Sequence, residues 1–183
     1  LQRAIRRMTE ALGRERGRPV YLAARVAGSL EMCRRIGYDI PTWIDEGLVD
    51  ILIPAGNAVT DASIDVAGFV EICEGTDVAV YPGFDARLDG WDFANFVGPE
   101  DEGVKEKMRT RAVAGQYHRA GADGIYAYNW HANRDSRREL LQQIGSSESL
   151  RGKGKIYAAT HRYERQEGEW RGAFSNDRVW GEV

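Results

Sequence analysis

The sequence contains few of the residues that bind metals, and it has no long run of apolar residues. Its 183 residues include two cysteines and three histidines. Cys33 and Cys73 show neither C-x-x-C spacing nor a Cys/His pattern, and the histidines are scattered, so the sequence predicts no metal site and two buried thiols. No apolar run approaches the roughly 18 residues that a membrane-spanning helix requires.

The sequence also lacks an excess of positive charge. Its net charge of −3 and pI near 5.7 give no electrostatic reason to expect a nucleic-acid partner. Arginines do crowd residues 3–18, where Leu1, Ile5, Met8 and Leu12 form an apolar stripe with helical spacing. Such a helix either binds a membrane surface or packs its stripe on the protein with the arginines in solvent, and we favour the second interpretation.

One short pattern occurs three times: a glycine, an aspartate two or three residues later, and then an apolar run. It occupies residues 47–53, 75–81 and 121–128. Glycine after a helix supplies the left-handed residue that ends the last turn, and a short apolar run is typical of a strand buried on both faces. The pattern therefore predicts β/α units with a parallel sheet, and it assigns Asp50, Asp77 and Asp123 to capping at the amino ends of the strands.

The rest of the chain extends this alternation. The pattern predicts strands at residues 19–26, 50–54, 77–81 and 124–130. It predicts an arginine-rich first helix, a helix at 29–37 capped by Ser29, helices at 41–46, 104–120 and 135–144, and one near 64–72 capped by Thr60 or Asp61. After the last helix comes a linker-like stretch, and then a β-hairpin with strands at 156–163 and 169–174. We therefore divide the chain into residues 1–150 and 151–183.

Four β/α units form either an open doubly wound sheet or half of an eight-stranded barrel. We favour the C-terminal half of a (β/α)₈ barrel, followed by the hairpin extension. One reason is that residues 25–29, at the end of the first predicted strand, lack the G-x-G-x-x-G phosphate loop of a dinucleotide-binding sheet. We expect no cofactor. The chain opens within a helical pattern and ends within a strand-like one, as a piece of a longer protein would. Large polar or aromatic residues end every predicted strand, as in a site shared by several strands.

The residues at these strand ends form the candidate site. They are Arg25, Asn57, Tyr81, Asp85, Asn129, Trp130 and His131. An arginine at the end of an apolar strand needs a partner, because burying a lone charge is costly. Arg25 is therefore a structural salt-bridge partner, a clamp on a substrate carboxylate, or a group that keeps a catalytic carboxylate ionised. Asn57 is explained either by turn chemistry or by ligand binding.

Asp85 is the predicted catalytic residue. It follows a strand and Pro82–Gly83, close in sequence to aromatic residues, and apolar surroundings raise the pKa of a carboxyl group toward that of a general acid. Its alternative role is to cap a turn. Trp130 is either a surface on which a sugar ring stacks or a core tryptophan. His131, beside it, is a candidate acid, base or hydrogen-bond donor.

Three stretches together suggest a family. Residues 24–26, residues 37–50 and residues 121–130 resemble the C-terminal half of the family 10 glycosylhydrolase-like barrels of bacteria, and residues 154–183 look like the β extension that follows the barrel in some of them. The run Asp39, Trp43, Gly47 and Asp50 is the most particular part, whereas G-x-D-G-I-Y occurs in many barrels. The resemblance covers roughly residues 15–183.

The resemblance implies a (β/α)₈ barrel that acts on glycosidic bonds, with Trp130 matching the aromatic platform after the last strand. Many related glycosidases carry a catalytic glutamate on the seventh strand, where this chain has residues 81–85, and their other acid would lie outside this chain. The expected partner is therefore a carbohydrate substrate, with Asp85 as one acid of a pair and with this half alone inactive. The alternative is a non-catalytic carbohydrate-binding barrel. A metal- or flavin-dependent barrel is disfavoured.

The sequence leaves the compartment and the oligomeric state open. It shows no signal-peptide pattern, but a chain that opens within a helix says little about the start of the intact protein. A secreted or periplasmic location would suit an intact glycosidase.

Overall fold

Short parallel strands alternate with helices in this mixed α/β protein. The structure, a computed structural model, describes residues 1–55, 64–85, 102–128, 130 and 135–157. The helices of this part are α1 (Gln2–Arg16), α2 (Leu30–Arg35), α3 (Ile40–Asp45), α4 (Val66–Cys73), α5 (Glu102–Arg119) and α6 (Asp135–Ile144). The strands are β1 (Ala23–Val26), β2 (Ile51–Pro54), β3 (Ala79–Val80), β4 (Gly83–Asp85) and β5 (Tyr126–Tyr128).

Within each of two sheets, the strands lie side by side in the order in which they occur along the chain. β1, β2 and β3 form a parallel three-stranded sheet, and β4 pairs in parallel with β5. Only Tyr81 and Pro82 separate β3 from β4. The N–H groups of Asp123 and Tyr126 donate to the carbonyls of Val80 and Pro82, at 3.0 and 3.1 Å, so the pairing with the last strand continues across this break.

Helices cover one face of the three-stranded sheet. Because side chains alternate along a strand, Ala24, Val26, Leu52 and Val80 share a face. These residues pack in one apolar cluster with side chains of three helices: Met32 and Cys33 of α2, Ile40 and Ile44 of α3, Phe69 and Cys73 of α4. Arg25 projects from the opposite face and is exposed. A second cluster joins α4, α5 and α6 through Val66, Tyr117 and Leu140.

The three glycines of the repeat end helices as predicted. Gly47, Gly75 and Gly121 have φ angles of 61°, 77° and 96°, in the left-handed region that disfavours other residues.

Two aspartates of the repeat bind the neighbouring strand. Asp50 Oδ2 accepts a hydrogen bond from the N–H of Leu22 at 2.6 Å, just before β1, and Asp123 Oδ2 accepts from the N–H of Val80 at 2.8 Å. The predicted capping role is thus confirmed for these two residues, and it is more specific than a turn cap because each carboxylate, lying before one strand, binds a backbone N–H in or next to the neighbouring strand. Asp77 is exposed.

Helix α1 is held by polar contacts. Arg3 forms a bidentate pair with Glu46 at 2.5 Å, and Arg6 Nη1 donates to Asp50 Oδ2 at 3.0 Å. The Arg3 pair is mostly exposed and contributes little stability, whereas the side chains of Arg6 and Asp50 are 14% and 28% exposed. Asp50 therefore joins α1, the start of β1 and the start of β2.

The prediction that the apolar stripe of α1 packs inward is wrong for two of its four residues. Leu1 and Met8 are 99% and 63% exposed, whereas Ile5 and Leu12 are half-buried. The inward face of α1 is centred on Thr9, which is buried. The polar contacts that turn Arg6 inward, rather than the apolar spacing, set the rotation of the helix.

Several boundaries differ from the predictions for local reasons. β1 is shorter than predicted and starts at Ala23, because Pro19 has no N–H and the N–H of Leu22 is bound to Asp50. Asp65, not Thr60 or Asp61, caps α4: its Oδ1 accepts from the N–H of Gly68 at 3.0 Å. Ser29 caps α2 as predicted.

The predicted hairpin extension falls almost wholly outside the described residues. Ile156 and Tyr157, at the start of its first strand, do not form a strand in the structure. The N–H of Ile156 instead donates to the carbonyl of Met108 on α5, at 3.2 Å.

The role of Asp50 predicts a large effect on stability. Replacing Asp50 with alanine removes the acceptor of the Leu22 N–H and leaves the Arg6 guanidinium without its carboxylate. We expect Asp50→Ala to lower the free energy of unfolding in urea by about 2–3 kcal/mol. Asp77→Ala is the matched control and should change it by less than about 0.5 kcal/mol. Equal losses in both variants would contradict this role of Asp50.

The thiols are predicted to be unreactive in the folded chain. Both cysteines are free and buried, as predicted, and burial raises the pKa of each thiol to about 11, with the charge of Asp123 adding to the effect at Cys73. At pH 8 only about one thiol in a thousand is then a thiolate, the reactive form. A colorimetric thiol assay should detect almost no reaction in buffer and two thiols in urea. Rapid reaction of the native chain would contradict the burial.

Candidate functional site

Arg25 and Tyr128 meet on the sheet face opposite the helices. Arg25 of β1 lies beside Ile53 of β2. Continuing the pairing of β2 with β3 by one residue places Tyr81 beside Ile53. The Arg25 Cζ atom lies 4.9 Å from the centroid of the Tyr128 ring. Side chains from β1 and β5, the first and last described strands, therefore contact each other.

This contact indicates that the sheet is concave on that face. Two strand positions lie between β1 and β5, so their backbones would be about 14 Å apart in a flat sheet with spacings near 4.8 Å. Side chains stand roughly perpendicular to a sheet. Curvature toward Arg25 and Tyr128 brings them within cation–π distance, and such a contact is worth about 0.5–1 kcal/mol at an exposed site.

Tyr81 packs against the backbone of the neighbouring strand. A Cβ atom added at Gly124 would lie 2.3 Å from Cε1 of Tyr81, so only glycine leaves room for the ring. Tyr81 is half-buried. The G-x-D-G-I-Y run is thus explained locally: Gly121 ends a helix, Asp123 binds Val80, and Gly124 receives the Tyr81 ring.

Asp85 comes after β3, as predicted, but it is also the last residue of a further short strand, β4, which the sequence did not predict. It is extended because β4 pairs with β5, and its Cα partner in the register is Tyr128. The backbone therefore places Asp85 next to the residue whose ring Arg25 contacts. Tyr81 directly follows β3, whereas the sequence predicted it to be the last residue of that strand.

Trp130 follows β5 and is half-buried. It packs against the second apolar cluster, with Val113 of α5 and Ile144 of α6 among that cluster's residues. This packing supports the core alternative for at least part of the indole. The remaining predicted site residues, Asn57, Asn129 and His131, lie outside the described residues.

The sequence interpretation missed Tyr128. Its side chain is 38% exposed although it belongs to a strand. The available signal was the spacing of Tyr126 and Tyr128, which places both on one face of the strand. Which face they share depends on pairing with β4, and the sequence did not predict β4.

A cavity of about 520 Å³ borders Arg25. It is lined by residues from the start of α1, from β1, and from the segment that leads into and through α3, including Tyr38, Asp39, Thr42 and Trp43. The Tyr38 and Trp43 rings lie 5.3 Å apart, tilted by 38°. Asp39 is engaged with Thr42, whose N–H and hydroxyl donate to its carboxylate at 3.3 and 2.7 Å. The cavity thus offers two aromatic rings and the Arg25 guanidinium, while the other arginine that lines it, Arg3, is paired with Glu46.

The most particular run of the family resemblance has a structural explanation at three of its four positions. Asp39 caps α3, Gly47 ends it with positive φ, and Asp50 links α1 to two strands. Trp43 lines the cavity beside Arg25. Asp39, Gly47 and Asp50 of this run therefore have structural roles in the fold.

Residues 1–55, 64–85, 102–128, 130 and 135–157 contain no cluster of three or more His, Cys, Asp or Glu side chains arranged for a metal ion. Within the same part of the chain, no helix has the length and apolar character needed to cross a membrane. The sequence matches no model of a known protein family, and no curated protein matches it. The site is therefore interpreted from its own geometry.

The contact between Arg25 and Tyr128 predicts a measurable coupling. We expect a double-mutant cycle with Arg25→Met and Tyr128→Leu to give a coupling of about 0.5–1 kcal/mol in urea unfolding. Tyr126, two residues earlier on β5, provides the control cycle with Arg25 and should couple more weakly. A coupling near zero for Tyr128, or equal couplings for both tyrosines, would contradict the concave geometry.

Proposed function

We propose that this chain is the C-terminal half of a (β/α)₈ barrel that acts on carbohydrate, as a glycoside hydrolase or a close relative of one. The order of the strands supports the barrel, because they follow one another in chain order without the reversal that marks a doubly wound sheet. The helices packed on β1, β2 and β3 lie on one face, as in a barrel, where the other face is the interior.

The contact between Arg25 and Tyr128 is the observation that carries this proposal. It joins the first and last described strands across a concave face, and Asp85 is the register partner of Tyr128. A guanidinium, a phenol ring and a carboxylate-bearing residue are thus grouped near the carboxyl ends of three strands. In barrel enzymes this end of the strands carries the active site.

The chemistry follows from the carboxylate pair that glycoside hydrolysis requires. One carboxyl group protonates the leaving oxygen while the other attacks the sugar or activates water, through an oxocarbenium-like transition state. Asp85 supplies the carboxylate of this half, and the second comes from the other half of the barrel. Arg25 positions Asp85 or the sugar through charge-assisted hydrogen bonds, and Tyr128 offers an aromatic surface to the ring.

A carbohydrate-binding barrel without catalysis is the second candidate. The cavity beside Arg25 favours it, since Tyr38 and Trp43 provide aromatic surface for a sugar while the carboxylate of Asp39 is engaged as a helix cap. Such a protein would bind sugar equally well after Asp85→Asn. The hydrolase would lose turnover in the intact barrel with the same change.

Saccharide binding to the 183-residue chain tests the proposal. In NMR titrations with gluco-, xylo- and chito-oligosaccharides, we expect at least one series to shift the Arg25 and Tyr128 signals. Arg25→Ala and Tyr128→Ala should each raise Kd at least fivefold, since each removes roughly 1 kcal/mol or more of contact with the sugar.

The chain contains a matched control pair. The Arg119 guanidinium lies 5.6 Å from the Tyr157 ring centroid, outside the concave face, so Arg119→Ala and Tyr157→Ala should leave Kd within twofold. Absence of binding in all series would contradict carbohydrate recognition by this half. Equal losses in both pairs would show that the effect is not specific to the concave face.

A further inference from the structure

A second cavity lies at the amino ends of the strands, away from Arg25 and Asp85. Its volume is about 490 Å³, and it is bordered by α1 and by the segment that leads into β1. Three arginines line it, Arg6, Arg14 and Arg18, together with Glu10 and Asp50. Because Asp50 is paired with Arg6, the charge that remains around the cavity is positive.

Arg6 carries the unusual feature of this cavity. Its Nη1 atom donates to Asp50. Within the described part of the chain, its Nε and Nη2 atoms have almost no exposed surface and no hydrogen-bond acceptor. A buried donor without an acceptor costs about 1–3 kcal/mol, and more when the group is charged. Native proteins satisfy most such groups, so these two donors need an explanation.

The geometry of the two donors specifies the acceptor. The Nε–H bond and one Nη2–H bond of a guanidinium point the same way and match two oxygens of a carboxylate or phosphate group. Asp50 Oδ2 already accepts from Arg6 Nη1 and from the N–H of Leu22, so the observed pair leaves Nε and Nη2 for another acceptor. Neither donor reaches the solvent-accessible surface, so an acceptor in the cavity meets them only after a neighbouring side chain moves aside.

We propose that this cavity binds a small oxyanion, with the phosphate or carboxylate group held by the Nε and Nη2 donors of Arg6. Arg14 and Arg18 are exposed and line the same cavity, so they add attraction and can change rotamer to admit the ligand. The volume accommodates a small organic phosphate or carboxylate rather than the inorganic ion alone. The site is independent of the carbohydrate site, because it lies at the opposite ends of the strands.

Glu10 offers a competing explanation. It lies four residues after Arg6 on the same helix face and lines the cavity. A rotation of its exposed side chain would bring a carboxylate toward the same donors. The proposal therefore predicts that Glu10→Gln strengthens anion binding by removing a like charge, and the test includes this variant.

The experiment follows the side-chain Nε–Hε NMR signal of Arg6 in the 183-residue chain at constant ionic strength, so that screening does not change. Titration with inorganic phosphate, and separately with acetate, should move that signal in a saturable way for at least one ion. Arg6→Lys keeps the charge and the reach to Asp50 but loses the paired donors, so Kd should rise at least tenfold. Arg7→Lys, on the exposed side of α1, should change Kd less than twofold.

The two ions distinguish the ligand chemistry, since preference for phosphate indicates a phosphorylated ligand and preference for acetate a carboxylate. A non-saturable response, or equal effects of Arg6→Lys and Arg7→Lys, would overturn the proposal and leave only general attraction to the arginines. An Arg6 signal that responds to Glu10→Gln but to neither ion would assign the donors to Glu10 and would also overturn it.

Discussion

The carboxylate of Asp50 is the interaction on which the described architecture depends. The carboxylate accepts hydrogen bonds from the N–H of Leu22, before β1, and from Arg6 of α1. Asp50 itself is the residue directly before β2. The Leu22 carbonyl in turn accepts from the N–H groups of Asp50 and Ile51, at 2.9 and 3.2 Å. This reciprocal link sets the register of β1 against β2. A shift of one residue would move Arg25 to the helix-covered face, where a charge could not be accommodated.

The same register places Arg25, Tyr81 and Tyr128 on the face of the strands opposite the helices. The rest of that face is apolar, since the register partner of Arg25 is the buried Ile53, and Ile51 and Ala79 share the face. Asp50 and Asp123 bind backbone N–H groups next to the neighbouring strands and so stabilise strand pairing. In our proposal the residues near the carboxyl ends of the strands, Arg25 and Asp85, have the separate role of contacting a ligand.

Local chemistry explains what could be predicted from the sequence. Short-range rules predict the glycines after helices, the Ser29 cap and the span of α6, because each depends only on residues close together in the sequence. The pairing partners do not follow from such rules. Tyr128 was missed because its face depends on β4, and β4 was not expected after Pro82. The inward turn of Arg6, which rotates α1 away from its apolar stripe, depends on a carboxylate 44 residues later.

The central claim is that side chains from the first and last described strands form one carbohydrate site. Intermolecular nuclear Overhauser effects between a bound oligosaccharide and the labelled chain test it most directly. The account predicts contacts from the same sugar to both the Arg25 side chain and the Tyr128 ring. Contacts confined to other residues, such as Tyr38 and Trp43, or contacts to Arg25 without Tyr128, would contradict it.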